Sequence, residues 1–98
     1  MFHIGVLQFT IDIPYAASLK EKRRVVKSMK DRIRRSFNVS VAEVDHLDEC
    51  TVATLSVVMA STDIPYLNSS LDRLLNLVHD SRDASLTDHQ LEIFSPTA

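Results

Sequence analysis

Residues 2–37, FHIGVLQFTIDIPYAASLKEKRRVVKSMKDRIRRSF, change their hydrophobic period from two to 3.6 across Pro14. Upstream of that proline the run is rich in β-branched and aromatic residues. It reads as a strand with Leu7, Phe9, Ile11 and Ile13 on one face and Ile4, Val6, Gln8 and Thr10 on the other. Pro14 has no N–H to donate and ends the ladder. Downstream, Ser18 and Glu21 have the S-x-x-E spacing of a capping box, in which two free backbone donors are satisfied reciprocally. A helix over 19–36 is predicted, with Leu19, Val26, Met29, Ile33 and Phe37 on one stripe, and it is about 27 Å long at 1.5 Å per residue.

The same alternation recurs downstream. Residues 38–45, NVSVAEVD, form a second and more polar strand candidate, followed by the acidic turn His46 to Cys50. TVATLSVVMA at 51–60 is a strand with Ala53, Leu55, Val57 and Met59 facing inward and Val52, Thr54, Ser56 and Val58 facing away. Ser61 or Thr62 is expected to cap a second helix with Pro65 in its first turn. That helix carries Ile64, Leu67, Leu71, Leu74, Leu75 and Val78 as its apolar stripe. A last strand is expected within 86–94 and a frayed tail over 95–98. The order β-α-β-β-α-β predicts one α+β domain over 1–98. Its four-stranded antiparallel sheet has the order 4-1-3-2 under right-handed crossovers, and both helices lie on one face.

Ninety-eight residues suffice for one core without disulfides or a structural metal. The lone Cys50 excludes an internal disulfide and fits a reducing compartment. No apolar stretch reaches membrane-spanning length, and Met1-Phe2-His3-Ile4-Gly5-Val6 has neither a basic region before an apolar run nor a small-residue cleavage site, so a cytoplasmic protein is expected. The net charge of −2 hides a strong asymmetry. Nine of the eleven Lys and Arg residues, Lys20, Lys22, Arg23, Arg24, Lys27, Lys30, Arg32, Arg34 and Arg35, lie between Ser18 and Ser36 against only Glu21 and Asp31, a local +7. The rest of the chain sets two arginines against eleven acids, a local −9.

Lys20, Arg23, Lys27, Lys30 and Arg34 recur every three or four residues and so share one flank of the helix, with Arg24 and Arg35 extending it outward. A cationic row about 20 Å long matches a phosphate backbone, which requires charge but no base-reading motif. These seven residues are the candidate nucleic-acid site, with RNA or a ribosomal particle as the expected partner. The competing reading is a solvated helix surface whose stems cover the edge of the core. The outward sheet face, Ile4, Val6, Gln8, Thr10, Thr54, Ser56 and Val58, lacks the stacking aromatics of RNA-recognition domains and suits a homodimer contact better. A protein-interaction module meeting an acidic partner is the alternative function.

Asp45-His46-Leu47-Asp48-Glu49-Cys50 has metal-ligand residue types but no zinc spacing, and reads as an acidic turn with no metal or cofactor. His3, His79 and His89 are scattered. With Gly5 the one glycine, there is no phosphate loop, dinucleotide fingerprint or nucleophile elbow. Cys50 has acidic neighbours, which do not activate a thiol. An acylphosphatase-like site needs an Arg-bearing, Gly-rich loop after the first strand, where this chain has Pro14 to Ala17. No catalytic activity is expected.

The stretches IGVLQFTIDIP at 4–14, SLKEKRRVVKSMKDRIRRSFNVSVAEVDH at 18–46 and ATLSVVMAS at 53–61 resemble the bacterial YlxP-like family, a small domain of unknown function. The resemblance covers most of residues 4–80. It implies a ferredoxin-like fold and a cytoplasmic bacterial protein, often encoded beside genes for translation initiation and ribosome maturation. It supplies no catalytic residues. Leu47 departs from the polar residue common at its place, and the last strand matches poorly.

Overall fold

The structure is a computed structural model that describes residues 1–96. Its elements run β1 (His3–Asp12), α1 (Leu19–Ser36), β2 (Ser40–Asp45), β3 (Val52–Ser61), α2 (Ile64–His79) and β4 (Ser85–Phe94). One antiparallel sheet has the order β2-β3-β1-β4, the predicted arrangement read from the opposite edge. Leu7, Phe9, Ile11 and Ile13 enter the core from β1 and the residue just after it, and Ala53, Leu55, Val57 and Met59 enter from β3, each nearly inaccessible to water. Val26, Met29 and Ile33 of α1 and Leu67, Leu71, Leu74 and Val78 of α2 close over them. The opposite sheet face is left open, with Gln8 and Val58 exposed and Ile4, Val6, Thr10 and Ser56 half-buried. Thr54 is the exception on that face, being 3% exposed and hydrogen-bonded to Thr10.

The caps refine the expected boundaries. Ser18 Oγ accepts from Glu21 N at 3.2 Å, while the Glu21 carboxylate reaches past the cap to Ala17 N at 2.6 Å. The N-cap position of the second helix is Asp63 rather than Ser61 or Thr62, and its side chain makes no capping hydrogen bond. Ser61 stays in β3, paired with His3, and its hydroxyl accepts from Asp63 N instead. Ile64, expected in the apolar stripe, is 41% exposed because it occupies the first helical position beyond the edge of the core. The second strand starts at Ser40, two residues later than the hydrophobic pattern suggested, since Phe37 and Val39 are used to stop α1 and turn the chain. Of the tail expected to fray, residues 97 and 98 lie outside the described residues, whereas Ser95 is hydrogen-bonded to the His3 imidazole.

Gly5 lies where Leu67 and Leu71 of α2 pack on the sheet. A Cβ there would lie 2.7 Å from Leu71 Cδ1 and 3.6 Å from Leu67 Cδ2. Overpacked cores typically lose about 1–3 kcal/mol. Gly5→Val is therefore expected to lower the unfolding free energy by about that amount, read from urea denaturation; unchanged stability would mean that α2 can lift from β1 at no cost.

Candidate nucleic-acid interface

The α1 stripe that faces the core is built from Lys22, Val26, Met29 and Ile33. At 100° per residue, the row Lys20, Arg23, Lys27, Lys30 and Arg34 is centred roughly 110° round the helix from it, so the cations stand clear of the core without opposing it. Arg34 Nη2 donates to the Val41 carbonyl of β2 at 3.2 Å, which places this flank above the β2 edge of the sheet. Of the seven predicted site residues, Lys20, Arg23, Arg24, Lys27, Arg34 and Arg35 are exposed and Lys30 is half-buried. The structure thus brings all seven together along one side and the outer surface of a single helix.

Asp31 is the one carboxylate set among them. It lies 2.9 Å from Lys27 and 4.0 Å from Arg34. The Lys27 hydrogen bond, supported by the charges of Lys27, Arg34 and Arg35, holds its carboxyl below the usual carboxylate range. Among the described residues, Lys20, Arg23, Arg24, Lys30 and Arg35 have no carboxylate within salt-bridge distance. Arg24, Lys27, Ser28, Asp31 and Arg35 line a shallow depression on the outer face. A surface of this kind can attract polyanions.

Lys22 is the ninth-part exception among the helix cations. Its side chain is 1% exposed, with Nζ 2.8 Å from Glu43 Oε2 and donating to the His46 carbonyl at 2.5 Å. Glu43 Oε2 has no hydrogen-bonding partner of good alignment, so the contact with the ammonium is an ion pair. His46 sits at φ 60°, in the left-handed region, and its carbonyl also accepts from Glu49 N at 3.1 Å. The turn predicted to be merely acidic is therefore anchored to α1 by a buried lysine. The signal was present in the spacing, because Lys22 precedes Val26 by four residues and Met29 by seven and so belongs to the apolar stripe. Among the described residues, no three His, Cys, Asp or Glu side chains converge on a common point.

A small α+β domain with an open sheet face and a cation-bearing first helix is the class that this geometry defines. The chain matches, over residues 4–91, the family described as "Protein of unknown function (DUF503)", and it belongs to that family. It is 29% identical over 91 residues to "Uncharacterized protein YlxP" of Bacillus subtilis (strain 168), an alignment covering 93% of this chain and 99% of that protein. Among solved structures, "De novo designed protein Foldit4" superposes with a TM-score of 0.58 at 11% identity, over 99% of this chain and all of the other. At that identity the likeness concerns the fold alone.

Removing one partner of a buried ion pair strands the other charge, whereas replacing both by apolar groups is far milder. Lys22→Met is expected to cost about 2–4 kcal/mol, and Lys22→Met combined with Glu43→Leu to recover most of it. A double-mutant cycle in urea showing additive losses would mean that the two side chains act independently.

Proposed function

We propose that this protein is a non-enzymatic RNA-binding factor of the cytoplasm that docks on structured RNA or a ribosomal particle through the outer flank of α1. The observation that carries this reading is the set of five cations, Lys20, Arg23, Arg24, Lys30 and Arg35, which have no carboxylate partner among the described residues, on a helix about 27 Å long. A phosphate backbone is the ligand whose charge repeats over such a length, and its counterions are released on contact. On the open sheet face the central strands β1 and β3 carry no aromatic residue, Phe94 lying on the edge strand β4, which argues against base stacking across that face and for recognition by charge and shape. Among the described residues no helix is long and apolar enough to cross a membrane, and the single cysteine of the chain suits the reducing compartment proposed here.

Two measurements test the reading. Arg23→Glu, Lys27→Glu and Arg34→Glu together reverse the charge of the flank while leaving the core stripe intact. Binding to structured RNA, or co-sedimentation with ribosomal particles, is expected to fall by at least about a hundredfold. The wild-type salt dependence is expected to have a log–log slope on the order of −3.5 to −4.5 for five phosphate contacts. Binding unchanged by the triple substitution removes α1 as the docking surface. Capture of a protein that survives ribonuclease treatment instead supports the interaction module meeting an acidic partner.

Asp31→Asn supplies the opposite sign. It deletes the one carboxylate within the flank and releases Lys27 and Arg34. RNA affinity is expected to rise by roughly threefold to tenfold at low salt, with the gain fading as salt is added. A fall in affinity would contradict electrostatic docking.

A further inference from the structure

The two edges of the sheet are finished differently. β2 is six residues long, is bulged between Glu43 and Asp45, and has its Val41 carbonyl taken by Arg34. Short length, a bulge and a covering cation are the usual protections of an edge. β4, at the other edge, is ten residues long and contains no Pro, Lys or Arg. Its one irregularity lies at Thr87, whose hydroxyl donates to the Thr10 carbonyl. From Asp88 to Phe94 the pairing with β1 is regular, and six of these seven residues are exposed. An edge strand presents a row of unpaired N–H and C=O groups on its outer side.

We propose that β4 pairs antiparallel with β4 of a second copy of this chain, joining two sheets into one of eight strands. The occupant follows from the order of side chains. A two-fold axis normal to the sheet keeps both helical layers on the same side, so each residue meets one of the same facing and the register is centred on a residue. Centring on Gln90 sets Asp88 against Glu92 twice. Centring on Glu92 sets that carboxylate against itself. Centring on His89 draws the irregular Thr87 into the ladder. Only centring on Leu91 retains a long regular ladder without opposed like charges. It lays Leu91, 39% exposed in the single chain, against its own copy. On the open face it sets each Gln90 amide opposite a Glu92 carboxylate, a cross-strand pair that can hydrogen-bond on both sides of the axis. His89 then faces Ile93, and Asp88 faces Phe94.

This pairing is independent of the RNA reading. The cations lie above the β2 edge, so pairing at β4 leaves both cationic helices on the outer margins of the joined sheet. The contact therefore neither covers nor requires them.

The experiment uses the full chain. Sedimentation equilibrium of the wild type is expected to give a dimer at roughly 100 μM, and Leu91→Lys to weaken it by at least about tenfold with an unchanged circular dichroism spectrum. In a Cys50→Ser background, Leu91→Cys is expected to form an intermolecular disulfide on mild oxidation, since opposed Cα atoms in an antiparallel ladder lie within disulfide range. His89→Cys, about four residues out of register with its own copy, is expected not to do so. A monomeric wild type overturns the proposal, as does a dimer that Leu91→Lys leaves intact and Val58→Lys on the open face dissolves. Efficient cross-linking at residue 89 rather than 91 overturns the register.

Discussion

The ammonium of Lys22 is enclosed where α1 crosses β2 and the turn that follows it, and the placement of the whole basic helix depends on that contact. A lysine at this depth is tolerated only because Glu43 supplies the counter-charge and the His46 carbonyl accepts one of its protons. Those partners come from a strand and from a turn that the sequence separates from Lys22 by more than twenty residues. Fixing Lys22 fixes the rotation of α1 about its own axis. Rotation decides whether the cations one step round the helix point over the sheet edge or slide against it. The ion pair adds little net stability in itself, since desolvation offsets most of the attraction. Its effect is on orientation: beside the apolar stripe of Val26, Met29 and Ile33 it adds a directional contact to the packing of α1.

Charge segregation follows from this placement. Nearly all positive charge is on one helix, while most of the acids lie on turns, sheet margins and α2. Glu21 and Asp31 are the exceptions, and the depressed carboxyl of Asp31 reflects how strongly the surrounding cations favour an anion. The remaining cations repel one another along the helix flank, a cost in the free protein that a bound polyanion relieves. Arg73 shows the contrasting use of a cation in the same molecule. It lies 5.9 Å from the Phe37 ring centroid and donates to the Ser70 hydroxyl, so its charge and stem join α2 to the end of α1.

Element order, strand faces and sheet order were legible in the sequence because each is fixed by short-range periodicity and a handedness rule. Leu7, Phe9 and Ile11 alternate in the chain and alternate in space. The cationic flank was legible for the same reason, as a helix converts three- and four-residue spacing directly into adjacency. Lys22 was not, because charge and spacing pulled its reading in opposite directions. Its burial depends on Glu43, an inward-facing strand residue whose role no local pattern reveals. The cap of α2 was misplaced through a similar conflict, with Ser61 and Asp63 both good cap residues. β-sheet pairing of Ser61 with His3 settled the choice.

The different finish of the two sheet edges gives the layout a consistent logic. On the proposed polyanion-binding reading, an added strand beside β2 would crowd Arg34 and the cations near it. Shortening β2, bulging it and occupying its Val41 carbonyl oppose such pairing locally. Along Asp88 to Phe94 the β4 edge is neither shortened nor bulged, and its charges are the two acids Asp88 and Glu92. Exposed main-chain donors and acceptors over seven regular residues are a liability for a monomer unless something pairs with them. A self-matching order of Leu91 between Gln90 and Glu92 answers that need with the material of the chain itself, and it does so at the edge farthest from the cationic helix.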